Sequence, residues 1–569
     1  MFFRTNPKLL RPIHSLLKEP LNFSATKSIS GPLRQHLIHR DDFENLVALG
    51  QLYDQARPSI QGLLVRTRPL LESSLSAVID VDSDLTGICE SAFAGVEPQF
   101  LGMAGARFLS HVSVQCQLER LYDLLALQRM GTAPALEDDS VSAIVRFLML
   151  NEALALCLAG IARVNLHAGG FDIGVFDETA HETLRATWFA RALDQGSHAG
   201  TIARIGRLSR AGAAGVRDLE LLIERILDQD LAIPWRRLTD QGKALKSVQH
   251  IYNAVALVAV VAVASARSES VKMTRANLAR LDLDFSAVSG LLHRQAQALV
   301  TDQFVMREQD SLYIRIERMS KGLRNYYRAL ECEFGERDAL REHIGGIFFE
   351  KTHIRRRIDF GEDYRERYRT VNGFDRYMVQ GDIPNEADVE FIIEDTQLQH
   401  YYFVQVKHSL LGEKAFFNSI IEATQNDIGK GLHQLREAKR LLEANLLHKT
   451  LTSRNLEGAT AANSSFVLLH NIAQLDFQGT NDGITLYDWA TFRNLLKDAE
   501  CQVGWSNDEP EFARLPSPLR IHDPMAVIRR LLNEHPAYRS MGADVWSSDR
   551  ATTRYSVERT RIQVTGLGI

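Results

Sequence analysis

Two short stretches set the strongest limit on how this chain can fold. Asp388–Glu394 alternates polar with apolar side chains. Tyr401–His408 puts Tyr402, Val404 and Val406 on one face and Gln405 and Lys407 on the other. Side chains two apart on a strand share a face. Val389, Phe391 and Ile393 match the apolar face of the second stretch, so the two read as neighbouring central strands of a sheet. Polar side chains on the remaining face, Asp388 and Glu390 on one strand and Gln405 and Lys407 on the next, need a reason to be there. Phosphate chemistry supplies one. The Asp388 carboxylate and the Gln405 amide oxygen are hard donors for a divalent cation. Lys407 is placed to orient or deprotonate a bound water, or to steady charge building on phosphate.

The surrounding sequence supplies the rest of an α/β unit over 337–506. Arg337–Arg357 reads as a helix with Ile344, Ile347 and Phe348 inward and Glu350 near its middle. Arg369–Ile383 is strand-like, Glu413–Leu447 reads as a long helix with a break at Asp427–Gly429, and Ser465–His470 reads as a fourth strand. Ile484–Asp488 makes a fifth strand leading into the helix Ala490–Leu496. This α-β-β-β-α-β order, with Asp388 followed by Gln405-Val406-Lys407, resembles the PD-(D/E)XK nuclease superfamily over roughly 335–500. The glutamine is similar to the QxK variant of Mrr-like restriction endonucleases. The resemblance implies a restriction-endonuclease-like core with a mixed sheet, and Mg²⁺ or Mn²⁺ as cofactor. It implies Asp388, Gln405 and Glu350 as metal ligands and Lys407 as the catalytic lysine. It further implies a DNA endonuclease acting in bacterial defence against foreign DNA and leaving a 5′-phosphate. No proline directly precedes Asp388, the nearest being Pro384, and the glutamine leaves less negative charge, so one tightly held ion is expected rather than two.

Basic groups lie where a nucleic acid would need them. Lys351, Arg355, Arg356, Arg357, Arg365, Arg367 and Arg369, interleaved with Tyr364 and Tyr368, can neutralise phosphates, or can instead form ion pairs with Glu362, Asp363 and Glu366. Lys430, Arg436, Lys439 and Arg440 add charge on the later helix. Over 249–320, an apolar helix, a second helix opening at Thr274 and a third capped by Ser286 precede two short strands, Phe304–Met306 and Leu312–Ile316. Three helices followed by a hairpin resemble a winged helix, which implies His293, Arg294 and Gln295 in a major groove and Arg307 on phosphate. Such a module serves DNA contact or protein docking alike.

At 569 residues the chain should hold several domains. Residues 1–248 read as mainly helical, with periodic patterns in Ser142–Val164 and Gly215–Leu227 punctuated by Gly169-Gly170 and Pro234. Asp177, Glu178 and His181 there read as caps rather than ligands. A linker helix over 321–336 joins the winged-helix-like segment to the nuclease-like unit, and 507–569, with a helix Asp523–Leu532 and a late strand Arg559–Val564, reads as an accessory to that unit. The fold class expected is thus multidomain, mainly α in the N-terminal half and α/β in the C-terminal half.

The net charge of −5 argues against a globally basic nucleic-acid coat protein. Five scattered cysteines form no CxxC pair, which fits a reducing cytoplasm. The basic first forty residues fit a mitochondrial presequence, a basic arm or an ordinary first helix. Ile251–Ala266 falls short of the roughly 20 residues of a spanning helix, so it reads as buried and no membrane partner is expected. Double-strand cleavage by single-cut domains would call for a homo-oligomer. The competing function is a non-catalytic nucleic-acid-binding or scaffold protein with a silent nuclease fold.

Overall fold

The computed structural model describes residues 21–31, 42–78, 138–210, 216–338, 341–355, 367–379, 384–409, 427–496, 500–514, 521–534 and 552–567, with short gaps inside some runs. Helices α1 (Ala25–Ser30), α2 (Phe43–Val78) and α3 (Asp138–Leu158) come first, then the hairpin β1 (Ala162–His167) and β2 (Gly170–Val175). Helices α4 (Glu178–Arg210), α5 (Val216–Arg225) and α6 (Lys246–Ser265) follow, then β3 (Val271–Lys272), α7 (Arg275–Arg280), α8 (Phe285–Gln297), β4 (Val305–Glu308) and β5 (Ser311–Ile314). Helix α9 (Met319–Asp338) leads to α10 (Arg341–His353), a wide π-type helix, and then to β6 (Tyr368–Asp375), β7 (Asp388–Asp395) and β8 (His400–Lys407). The last part holds α11 (Asp427–Glu443), β9 (Ser464–His470), β10 (Gln478–Gly479), β11 (Ile484–Asp488), α12 (Trp489–Leu496), β12 (Glu500–Ser506), β13 (Glu509–Arg514), α13 (Pro524–Glu534), β14 (Thr552–Val557) and β15 (Thr560–Thr565). Many helices and several mixed or antiparallel sheets make this a mixed α/β protein of several units.

The N-terminal unit is not purely helical. Its helical pattern stops at Leu158, and Gly169-Gly170 turns a hairpin rather than punctuating helices. That hairpin joins the chain's last two strands in a sheet ordered β1-β2-β15-β14, with β15 parallel to β2. The expectation that 507–569 serves only the later α/β unit therefore needs correcting. Residues 552–567 complete the sheet of the first unit, where Phe171, Ile173, Tyr555, Ile562 and Val564 are buried. Among the described residues, Ile521 and α13, the latter through Val527, Ile528, Leu531 and Leu532, pack on the later unit. Gly170 sits at φ +141°, where a Cβ would fall 2.0 Å from the Arg561 carbonyl oxygen, so only glycine lets the strands approach. The Asp177 carboxylate accepts from Ala180 N at 2.9 Å, capping α4.

Helix α6 is longer than its apolar run suggests, reaching 20 residues, and is long and apolar enough by that measure to cross a membrane. It is nevertheless mostly buried, with Ile251, Val255, Leu257, Val258 and Val261 inside the protein against α5, α8, α9 and β5. Around it, β3, β5 and β4 form a three-stranded antiparallel sheet. Asp284, not Ser286, caps α8, accepting from Ser286 N at 3.2 Å and Ala287 N at 3.0 Å. Gln295 departs from a groove-reading role. It is buried, and its side-chain oxygen accepts from Phe304 N and Val305 N, fixing the start of β4. Leu299, expected on the inner side of α8, lies outside the described residues.

The later unit is built on a six-stranded sheet ordered β10-β11-β9-β8-β7-β6. Strands β6, β7 and β8 run antiparallel, whereas β8, β9 and β11 are parallel. Parallel pairing needs a crossover, and α11 supplies it between β8 and β9. Helix α11 lays Ile428, Leu432, Leu435 and Leu441 on one face of the sheet, against Phe403 and Leu468. The other face, with Val404, Val406, Val467, Leu469 and Tyr487, is covered by α12 and α13. Two ranges differ from the sequence reading. Strand β6 ends at Asp375 in a turn, and the helix expected from Glu413 is described only from Asp427, residues 410–426 lying outside the described part.

Candidate active site

Strand β7 is paired with β6 along its whole length, down to Asp375 opposite Asp388. Its pairing with β8 stops earlier, at Phe391 opposite Val404. Beyond that point the two strands part, while Gln405 and Lys407 stay in register with Leu468 and His470 of β9. Asp388, Glu390, Gln405 and Lys407 thus stand around the mouth of a split between two central strands.

The amide of Gln405 bridges the split. It is fully buried, and its nitrogen donates to the Asp388 main-chain oxygen at 3.1 Å and to the Gln434 side-chain oxygen at 3.0 Å. Its own oxygen accepts from Val406 N at 2.8 Å. The Gln405 amide thus holds the strands together, and a metal-ligand role would have to use the remaining lone pair of an oxygen that already accepts from Val406 N. Gln434 on α11 completes the chain by donating to the Asp388 carboxylate at 2.9 Å.

Glu350, on α10, accepts from His408 N at 2.9 Å and so pins the backbone just after Lys407. Glu390 lies among these groups. Burial pushes its carboxyl up to about 7, and the nearby charge of Asp388 adds to this, with Glu350 pushing the same way. Lys407 and Lys351 pull it back down. Lys407 is only 8% exposed, and its stem runs beside Gly431 of α11, where a Cβ would sit 3.0 Å from Lys407 Cγ. That contact gives Gly431 a packing reason.

The donor set suits a hard divalent ion in part. The Asp388 and Glu350 carboxylates both act electrostatically on that of Glu390. No group of three or more His, Cys, Asp or Glu side chains among the described residues converges as a ready-made cage. Mg²⁺ does not require one, since it is commonly held by one or two carboxylates and completes its shell with water and phosphate oxygens. Asp388 and Glu390 are the residues that would hold it, with Lys407 beside them.

The expected nucleic-acid contacts divide. Lys430 and Lys351 are exposed beside the site. Arg355 donates to the Asn372 side chain, and Arg356 and Arg357 lie outside the described residues, as do Tyr364, Arg365 and their acidic partners. Arg367 is not a phosphate contact: it grips the fully buried Asp395 through two nitrogens, at 2.6 and 3.0 Å, and Tyr368 beside it is buried. Arg369 pairs with Glu394, Arg436 with Asp482, and Arg440 with Glu437. On the winged-helix-like segment, Arg294 pairs with Glu333 of α9, while exposed Arg307 donates to Gln309 O at 2.8 Å across the hairpin turn. His293 is exposed.

Two residues of the site had no assigned role in the sequence. Glu390 shares the strand face of Asp388, a signal that was available. Gln434 had none, because a glutamine on an amphipathic helix looks like any other polar position. Comparison with family models, with characterised proteins and with solved structures finds no match to this chain.

Proposed function

We propose that the chain is a Mg²⁺-dependent phosphodiesterase acting on DNA, centred on Asp388, Glu390 and Lys407. The observation that carries this reading is the split between β7 and β8, which gathers two carboxylates and a nearly buried lysine that no packing demand explains. A divalent ion on the two carboxylates would supply water activation and charge neutralisation at phosphorus. The chain's own residues do the rest. Lys407, with its stem braced by Gly431, presents an ammonium group where charge builds on a phosphate oxygen. Gln434 and Gln405 fix the rotamer of Asp388 and the width of the split. Glu350 holds the backbone of His408 and thereby the direction of Lys407. In-line attack with a 5′-phosphate product, and a role in defence against foreign DNA, rest on the resemblance to Mrr-like nucleases.

A second reading, a silent nuclease fold that only binds nucleic acid, is favoured by one observation: Gln434 already occupies an oxygen of Asp388. Purified protein with supercoiled plasmid and Mg²⁺ or Mn²⁺ separates the two. Nicking or linearisation that disappears in both Asp388→Ala and Lys407→Ala supports the enzyme. Binding of DNA without cleavage supports the silent fold, and cleavage that survives both substitutions refutes the site.

A further inference from the structure

The turn that follows β6 presents an aromatic ring to solvent with no packing reason for it. Tyr377 is 78% exposed, and the Arg376 guanidinium lies 4.6 Å from its ring centre. The turn beneath is not loose. The Asp375 carboxylate accepts from Tyr377 N at 2.9 Å and from Met378 N at 3.1 Å. Thr450 donates to the Met378 main-chain oxygen at 3.3 Å, and Arg454 reaches both Gly373 O at 2.9 Å and the Met378 sulfur at 3.3 Å. Val379, just after, is buried as an anchor.

This fixed turn stands at the proposed active site. Asp375 is the register partner of Asp388, and paired strands lie about 5 Å apart. Gly373 lets β6 press against β7 there, since a Cβ would fall 1.7 Å from Val389 O. Tyr377 thus sits within one or two nucleotides' reach of Asp388 along a strand crossing the site. Exposed cations lie on the neighbouring elements, Arg376 on the turn, Lys430 on α11 and, on α10, Lys351, which acts electrostatically on Glu390. A rigid, exposed tyrosine backed by an arginine, beside a catalytic centre with basic flanks, fits the face of an unstacked base and the phosphates next to it. A fully paired duplex offers no such face except at its ends.

We propose that Arg376–Tyr377 is a stacking platform for an unpaired nucleobase next to the scissile phosphate, so that the site prefers single-stranded DNA or frayed ends over intact duplex. This rests on the nuclease reading for its location. The test uses fluorescence anisotropy on the Asp388→Asn chain, with a labelled single-stranded oligonucleotide and a labelled hairpin duplex. Adding Tyr377→Ala should weaken single-strand binding about tenfold, as loss of one base–aromatic stack does. Duplex binding should not change, and Tyr377→Phe should bind the single strand as the parent does. An equal loss on both substrates, or no loss on the single strand, overturns the platform. Plasmid cleavage by the otherwise unaltered chain is scored in parallel. Cleavage with unchanged Tyr377→Ala binding refutes the platform alone, whereas absence of both cleavage and binding refutes the nuclease reading with it.

Discussion

The side-chain nitrogen of Gln434 donates to the Asp388 carboxylate at 2.9 Å, tying a helix of the α/β unit to the first acid of the site. Gln434 also accepts from Gln405, so one amide controls both edges of the split between β7 and β8. Gln434→Leu should leave the helix folded, because Gln434 is half-buried and leucine is a good helix former. It should still lower cleavage by about 10- to 100-fold, the range typical for residues that orient metal-binding carboxylates. Gln434→Glu should be the more damaging change, since it sets a second carboxylate against Asp388. Equal activities for the parent and both variants would show that the amide chain does not position Asp388.

Gly431 makes a different demand. A Cβ there would approach Leu468 Cδ1 to 2.7 Å and Lys407 Cγ to 3.0 Å. Gly431→Val should push α11 off the sheet or displace the lysine stem, with a loss of about 1–3 kcal/mol in stability typical of overpacking. The sharper expectation concerns partition. Cleavage should fall more than thermal stability, because the displaced group is the one proposed to face phosphate. A melting shift with full activity would show that Lys407 is not held by this contact.

The β1-β2-β15-β14 sheet makes the stability of the first unit depend on the last two strands. Gly170→Ala would set a methyl group 2.0 Å from Arg561 O at a backbone angle that L-residues avoid. A loss of about 3 kcal/mol or more is expected, at the upper end of overpacking effects. A protein truncated before Thr552 should show the same loss of the first unit, since Phe171 and Ile173 would lose β15 as their cover. Limited proteolysis reads this directly. If the truncated chain keeps Ala162–Val175 protected, the pairing is not what holds that unit.

How much of this was legible follows from the range of the interactions. The faces of β7 and β8 were readable because strand alternation is local, and with them Asp388 and Lys407. The role of Gln405 was not, since residue type cannot say whether an amide turns toward a metal or toward a neighbouring backbone. Arg367 looked like a phosphate contact because its partner, buried Asp395, lies across a strand pair. The pairing of β2 with β15 joins segments far apart in the sequence and leaves no trace in either segment alone. Asp284 took the cap expected of Ser286, two residues earlier, and helix ends are commonly uncertain by that much.

Glu390 gives the site a pH signature that does not depend on activity. Burial, followed by the charge of Asp388, raises its carboxyl from 4.5 to about 7. A raised acid binds its proton more tightly in the folded chain than in the unfolded one. Its contribution to stability is therefore fully present below pH 4.5 and is lost as pH rises through about 7. The loss is no more than about 3.5 kcal/mol at roughly 1.4 kcal/mol per unit, and partial exposure reduces it further. Glu390→Gln keeps the shape without the charge. Without divalent ions, its melting temperature should therefore match the parent in acid and exceed it above neutral pH. Mg²⁺ added above neutral pH should raise the melting temperature of the parent by linkage, and should do so less for Asp388→Ala. Parallel melting curves for parent and Glu390→Gln across the whole range would show that Glu390 is not held among like charges. A Mg²⁺ response unchanged by Asp388→Ala would place the ion elsewhere.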